Sequence, residues 1–459
     1  MFNRHAQTIF YQEPAMQRHV TIIGGGVIGL TSAYALIRAG HNVTLIDAHA
    51  EVASETSHAN GGQLSYRYVA PLADSGVPLQ AIKWLLAGSE APLRVRPQLD
   101  LAQWRWAAQF LAACHRRQHQ LSAAQLLSLA HHSQKILTQW REQDGLTDFA
   151  WRKTGKLVIH RDQQALDKAI ATRIAPDEQQ PLSAQQCVSL EPALATQTSI
   201  LAGGIFSASD ETADCRAFCQ ALERQLTHSG RYTRLASTRV APLAMENQRI
   251  QHLELTHIDG SRERLEVDEV ILAAGNHSAA LVRTLDIQLP IQPLKGYSLT
   301  LPLSQEAIAP RISVTDAARK VVYAHLEYGD TPQLRIAAMV DIGSRERDLF
   351  SPAIEQDRIA ALRRIASDTF PEAGNFADAT PWAGLRPSTP KGPPLIGRTH
   401  HASIRGVKPR HDAPDNLWLN TGHGSLGFTL ACASADLVAH AISGDELPEN
   451  LKTHIGGYR

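Results

Sequence analysis

The chain is short of most features that would place it in a specialised class. Its 459 residues include five cysteines, Cys114, Cys187, Cys215, Cys219 and Cys432. An odd number without paired spacing excludes a disulfide scaffold and suits free thiols in a reducing compartment. Cys215, Cys219 and His228 fall close together, but no second Cys or His pair completes four ligands, so no metal is expected. A charge excess is also missing. Lys plus Arg and Asp plus Glu number 45 each, so no global field draws the chain to nucleic acid or phospholipid. No run reaches the ~18 continuous apolar residues of a membrane span. Residues 1–18 lack the apolar stretch of a secretory signal and read as an N-terminal arm. The expectation is a cytoplasmic globular protein, long enough for two domains. The nearest approach to a membrane feature is "LAQWRWAAQFLAACHRRQ", Leu101 to Gln118, interrupted by Arg105. It is either an amphipathic helix packed on its own domain or a surface resting on the inner face of a membrane.

What is present begins at "HVTIIGGGVIGLTSAYALIRAGHNVTLID", His19 to Asp47. An apolar β-branched strand runs into Gly24-Gly25-Gly26-Val27-Ile28-Gly29, which fits G-x-G-x-x-G. Gly24 permits the tight turn, Gly26 lets backbone approach a pyrophosphate, and Gly29 lets the following helix close on the strand. A second strand ends in Asp47, 23 positions after Gly24, near the ~20 expected for an acid that binds a ribose. The acid disfavours NADP, whose 2′-phosphate would meet like charge. This unit alone leaves NAD and FAD open. Asp47 is followed by a long polar loop, "AHAEVASETSHANGGQLS", instead of continued βα alternation. It reads as wrapping an extended ligand. "DEVILAAGNHSAAL" (268–281), with Ala274 and Gly275 and a helix N-cap at Asn276 or Ser278, repeats the strand–glycine–helix pattern. So does "NLWLNTGHGSLGFTLACASADLVAHAIS" near the C-terminus. Three such segments predict one nucleotide domain assembled from discontinuous pieces. Ser122 is expected to cap a helix that ends before Gly145, and residues 236–267 to form a three-stranded meander. "PLKGYSLTLP", "KVVYAHLEY" and "QLRIAAMVDI" read as strands.

Taken with "ETSHANGGQLS", "GVPLQAIKWLL", "SDETADC", "WAGLRPSTPKGPPLIGRT" and "LWLNTGHGSLGFTLACAS", these segments resemble the FAD-dependent D-amino acid oxidase superfamily, and within it the bacterial D-amino acid dehydrogenases. The resemblance runs from Val20 to the last helix. Three stretches depart from it: the arm, a bulkier "SYRYVAP", and an insertion-like "HHASIRGVKPRHDAPD". It implies an α/β fold with a discontinuous Rossmann-type FAD-binding domain (19–77, 214–287 and 388–459). The second domain (78–213 and 288–387) would be α+β, built on a large mixed β-sheet that holds the substrate. FAD would be non-covalent. Its expected contacts are Gly24, Gly26, Val27, Ile28, Gly29, Asp47, Asn60, Gly61, Gly62, Gln63, Val240, Ala274, Gly275, Gly397, Gly422, Gly424, Ser425, Leu426 and Gly427.

A flavin that takes a hydride at N5 gathers negative charge at its N1–C2 edge. "TGHGSLGF" followed by a helix offers N–H groups and a dipole end to meet it. A guanidinium fork matches a carboxylate, and the resemblance gives that role to Arg386 in "GLRP". Tyr297 is expected either to close the pocket beside Arg386 or to lie in the core. His58 and His423 are the candidate acid–base groups. The implied reaction is oxidation of a D-amino acid to an imino acid, which water converts to a 2-oxo acid and ammonia. A quinone or another respiratory carrier would take the electrons. The alternatives are an oxygen-using glycine or sarcosine oxidase, a D-proline or D-hydroxyproline dehydrogenase, and a nucleotide-binding protein without chemistry.

Overall fold

A computed structural model describes residues 17–77, 88–329, 331–343, 349–350, 352–399 and 413–456. The arm up to residue 16, "GVPLQAIKWLL" from residue 78 onward, and the insertion-like segment from 400 to 412 lie outside the described residues.

Alternation along the first strands sorts residues to two sides of a six-stranded sheet. From edge to edge the strands are Leu395–Arg398, Leu417–Thr421, Glu269–Leu272, His19–Ile23, Asn42–Ile46 and Tyr232–Leu235. All pair in parallel except Leu395–Arg398, which is antiparallel to its neighbour. Val20, Ile22, Val43, Leu45 and Ile271 enter one core, with the helices Val27–Arg38, Cys215–His228 and Gly427–Ser443. Ile23, Ile46, Val270 and Leu272 point the other way, into a core closed by Leu253 and Leu255 of the meander. Strands covered on both faces need the near-continuous apolar runs seen here. The meander consists of Thr238–Val240, His252–His257 and Arg262–Glu266. Its turns carry positive φ at Asn247 and Gly260. Gly427–Ser443 belongs to the helix that alone among the described residues is long and apolar enough to cross a membrane. It is buried against this sheet instead.

Two expectations fail at the helix Arg116–Asp144. Ser122 does not start it: the N-cap is His115, and Ser122 is buried inside, accepting a hydrogen bond from Gln118 at 3.0 Å. Gly145 does end it, at φ +67°. The helix also packs with the nucleotide-side core and not with the substrate sheet, to which its position before residue 213 had assigned it. Trp140 meets Tyr34 at 4.8 Å between ring centroids, and His132 meets Asp436 at 2.7 Å.

The second sheet has nine strands, in the order Thr380–Ser388, Gln292–Pro302, Gln333–Ile342, Val321–Leu326, Ser313–Asp316, Lys156–His160, Gly203–Ser207 and Gln180–Ser183. Leu93–Val95 adds to the far end of Gln333–Ile342. One face is sealed by the helix Gln356–Thr369 through Leu299, Leu301, Ile336, Ile359, Leu362 and Ile365. The other face carries small side chains at the Arg386 end and is crossed by the loop that follows Asp47.

Candidate active site

Gly24 and Asp47 stand side by side at the carboxyl ends of adjacent parallel strands, where open α/β sheets bind ligands. Gly24 has φ +114°, and a β-carbon there would lie 2.6 Å from the Ala273 carbonyl. A β-carbon on Gly29 would lie 1.8 Å from the Gly24 carbonyl. Both positions demand glycine on contact grounds alone. Gly26 differs: its β-carbon would meet only the Ser57 hydroxyl, at 3.4 Å, so the turn keeps an open side. The Val27 N–H donates to that hydroxyl oxygen at 3.1 Å. No side chain of its N-cap, Gly26, and no acid in the first turn neutralises the start of the Val27–Arg38 helix. Asp47 accepts hydrogen bonds from the N–H groups of Gly25, at 2.5 Å, and His49, at 2.8 Å. Burial pushes its carboxyl up, against the pull of those two bonds. Val240 ends a strand that begins on the Asp47 carbonyl.

On the other side of the first strand, Ala274 and Gly275 lead into a short turn. Neither Asn276 nor Ser278 caps a helix, contrary to expectation. Asn276 donates to the Leu385 carbonyl at 2.8 Å, and Ser278 pairs with Thr421 at 3.1 Å. Thr56 donates to the same Leu385 carbonyl at 2.6 Å. Residue 385 is thus stitched to two loops of the nucleotide sheet, and Arg386 sits at the seam. Gly422 and Gly424 follow the strand Leu417–Thr421 with φ +80° and +58°. Ser425 and Leu426 lead into Gly427, where a helix starts without a side-chain cap or a first-turn acid. Its free N–H groups and positive dipole end remain available to an anion.

The strand Thr380–Ser388 pairs Arg386 with Leu294, Gly384 with Gly296, and Trp382 with Ser298. All six point to one face. The guanidinium of Arg386 lies over Gly296, and the indole of Trp382 folds over Gly384. His58 stacks on Trp382 with 6.4 Å between ring centroids. Arg386 donates to the Met339 carbonyl at 3.0 Å and has no carboxylate partner among the described residues. Burial lowers its pKa to about 10, partly offset by the charge of Asp341; it is a cation at neutral pH. Burial, then Arg216 and Arg335, also lowers the His58 pKa.

Other predicted residues are placed differently. Tyr297 is on the opposite face from Arg386, 1 % exposed, with its hydroxyl 3.0 Å from Asp341. It is the core tyrosine of the two readings and does not close the pocket. His423 is buried, its Nε2 3.0 Å from Ser434 and its Nδ1 unpartnered. Burial holds its pKa down to about 3, so the imidazole is neutral at ordinary pH. Gly61 and Gly62 are glycines because the loop runs against Val322, Ala324 and Leu326, where β-carbons would come within 3.1–3.3 Å. Asn60 turns that loop, accepting from the Gly62 N–H at 3.0 Å. Gln63 is engaged by Lys156 and Ser313 at the far side of the sheet. Gly397 faces Gly456, whose carbonyl would be 2.1 Å from a β-carbon; packing of the C-terminal segment accounts for it. Gly296, Met339, Trp382 and Asn276 were not singled out as site residues. Gly296 carried a signal, a glycine inside an otherwise bulky strand.

A family model described as FAD dependent oxidoreductase matches residues 19–441. The chain belongs to that family. It is 48 % identical over 427 residues to "D-amino acid dehydrogenase 2" of Pseudomonas aeruginosa, covering 93 % of this chain and 95 % of that one. It is 36 % identical to a D-amino acid dehydrogenase of Vibrio vulnificus, with 93 % and 96 % covered. Among solved structures, glycine oxidase from Bacillus cereus superposes with a TM-score of 0.66 at 19 % identity, covering 95 % and 98 % of the two chains. L-α-glycerophosphate oxidase from Mycoplasma pneumoniae, with FAD bound, gives 0.63 at 17 % identity, covering 94 % and 96 %. These two likenesses speak for the fold. The residues present fit an FAD: a glycine turn closed to β-carbons at Gly24 and Gly29 and open at Gly26, a buried acid at the adjacent strand end, and an uncapped helix start beside an unpartnered buried His423 Nδ1.

Proposed function

We propose that this chain is an FAD-dependent D-amino acid dehydrogenase. A bound flavin supplies the two-electron acceptor for the Cα hydride. Gly24, Gly26, Gly29 and Asp47 hold its dinucleotide part, and the Gly422–Gly427 turn offers N–H groups to its ring, without a covalent bond. The observation that carries the reading is the buried guanidinium of Arg386 at the seam of the two sheets, free of any carboxylate among the described residues. A buried cation without an anion is costly. An amino acid carboxylate supplies the missing charge and, through the planar fork, a fixed orientation. His58 is assigned as the group that takes the proton of the substrate ammonium; its stacking on Trp382, on the face that carries Arg386, and its bias toward the neutral form support this. The D-configuration is supported by what the two relatives are called.

The electrons pass to a quinone at a membrane surface. In support, the helix Leu101–Ala113 leaves Leu101, Trp104 and Leu111 exposed, and Leu99 before it is fully exposed. Arg105, Arg116 and Arg117 flank this row. An apolar row with a basic rim suits the interfacial layer of an anionic bilayer. The enzyme would then rest on the inner face of the cytoplasmic membrane. The test is a panel of D- and L-amino acids with an artificial electron acceptor, hydrogen peroxide being measured in parallel. Turnover of D-amino acids without stoichiometric peroxide is expected. Peroxide formed at the rate of turnover would favour the oxygen-using reading.

A further inference from the structure

The strand Gln333–Ile342 is irregular where it passes Arg386. Lys295 pairs with Asp341 but Tyr297 with Ala338, so Met339 and Val340 together face Gly296. One extra residue makes a bulge, a device that re-aims backbone groups beside functional sites. Met339 takes φ +66° to form it, a conformation an unbranched side chain adopts only at a cost. The carbonyl so turned is the one that receives Arg386 Nη1 at 3.0 Å.

Something must hold a strained bulge in place. Two residues on, Asp341 is fully buried. Its carboxylate accepts from Arg358 Nε at 3.0 Å, Arg94 Nε at 3.1 Å and the Tyr297 hydroxyl at 3.0 Å. Arg358, also fully buried, comes from the helix Gln356–Thr369 and donates to the Ala91 carbonyl at 2.7 Å. On the strand's other edge, the Val340 N–H donates to the Pro92 carbonyl at 2.8 Å. Val340 of the bulge is therefore clamped to the segment entering the Leu93–Val95 strand, and Asp341 beyond it to the helix beneath the sheet. The Met339 carbonyl is the group of the bulge that meets Arg386.

We propose that Asp341 and Tyr297 are positioning residues for Arg386: from the far face of the sheet they fix the Met339 bulge, whose carbonyl steers the guanidinium toward the substrate carboxylate. This rests on the reading of Arg386 as the carboxylate anchor. The clamp leaves one guanidinium edge committed to Met339 and the rest for a ligand. It also gives a fully buried charged cluster a use beyond stability.

The test compares Met339→Val, Met339→Gly, Tyr297→Phe and Arg386→Ala as FAD-loaded enzymes. A β-branched residue resists φ +66°, whereas glycine adopts it freely. Calorimetric titration with benzoate, a carboxylate with no hydride to give, reports the anchor without turnover. Met339→Val should bind benzoate roughly tenfold more weakly or worse, as for loss of a hydrogen bond to a charged group. KM for D-amino acids should rise with it, and KM for their amides should not. Met339→Gly should recover most of the loss. Tyr297→Phe, which keeps the ring in the core, should show the same carboxylate-selective weakening, and it decides the matter should Met339→Val fail to fold. Equal effects on acid and amide, or wild-type benzoate affinity in Met339→Val and Tyr297→Phe, would overturn the inference. If Arg386→Ala binds benzoate like wild type, the anchor reading falls and the inference with it. If Arg386→Ala loses benzoate while the other variants keep it, the positioning role alone is lost.

Discussion

Gly296 lies directly beneath the guanidinium of Arg386: a β-carbon at 296 would stand 2.3 Å from Cζ and from Nη2. Neither strand can yield, since the two are paired residue by residue from Gln292–Ser388 to Thr300–Thr380. Gly296→Ala must therefore displace the guanidinium. The expected result is a KM for D-amino acids raised by roughly one to two decades, the scale of one charged hydrogen bond, with FAD content unchanged. Steady-state kinetics at matched flavin content checks it, and an unaltered KM would show that the arginine is not used where it lies.

Asp47 holds the glycine turn through the Gly25 N–H and is the acid proposed to accept the adenosine ribose. Asp47→Ala should weaken flavin binding by about 1.5–3 kcal/mol, enough for the protein to purify partly flavin-free. The absorbance ratio of flavin to protein reads this directly. Full loading would mean that the ribose partner lies elsewhere.

His423 makes stability depend on acid. In the folded protein its pKa is lowered by burial from 6.5 to about 3. Between those values the unfolded chain binds a proton that the folded protein refuses. Stability therefore rises with pH through this window and is lost as pH falls below 6.5. At pH 5 the loss from this one group is about 2 kcal/mol. His423→Gln, able to keep the Ser434 contact, should lose less stability than wild type between pH 7 and pH 5. Urea titrations at the two pH values measure it; identical losses would assign the acid sensitivity to other groups. For the same reason no limb of the kcat profile near pH 6.5 should belong to His423.

The Leu101–Ala113 helix divides its two tryptophans. Trp106 is 4 % exposed and donates to the Ser388 carbonyl at 2.9 Å, close to Arg386 in the chain, while Trp104 is 53 % exposed. Of this helix, Trp104, Leu101 and Leu111 are the large apolar residues exposed enough to meet a bilayer. Replacing Trp104 and Leu101 by Ser should reduce sedimentation with anionic lipid vesicles and lower quinone reduction, while activity with a soluble dye persists. Retained vesicle binding would remove this helix from the membrane account. Replacing Trp106 should damage dye-linked activity as well, because it braces the strand that carries Arg386, the proposed anchor.

The nucleotide half was legible because its constraints are local. A turn that admits only glycine, an acid at the next strand end and alternating burial on short apolar strands all leave marks within about thirty residues. The Arg386 half was less so. Tyr297 and Gly296 are neighbours in "KGYSL", yet which of them shares a face with Arg386 depends on pairing between Gln292–Pro302 and Thr380–Ser388, some ninety residues apart in the chain. Alternation predicts two faces and cannot say which is covered. The Met339 bulge leaves no compositional mark, since methionine is an unexceptional strand residue. Ser122 misled because the residues before it, 116–121, are mostly good helix formers and extend the helix back to the His115 cap. The helix Arg116–Asp144 shows an apolar stripe that fits either core, and residues far away in sequence, Tyr34, Ala433 and Asp436 among them, identify the one it joins.

The measurement that bears most directly on the account is kcat/KM for a D-amino acid and for its amide, in wild type and in Arg386→Ala, at equal FAD content. Removing one member of a desolvated charge pair costs roughly 3–5 kcal/mol, a fall in kcat/KM on the order of hundreds- to thousands-fold. The acid should suffer that loss. The amide, already poor in wild type for want of the charge, should lose little more, and Arg386→Lys should restore only part because an ammonium lacks the planar fork. An equal loss for acid and amide would make Arg386 a structural arginine. The carboxylate anchor could not then simply pass to Arg67, which is already paired with Glu178 at 2.7 Å.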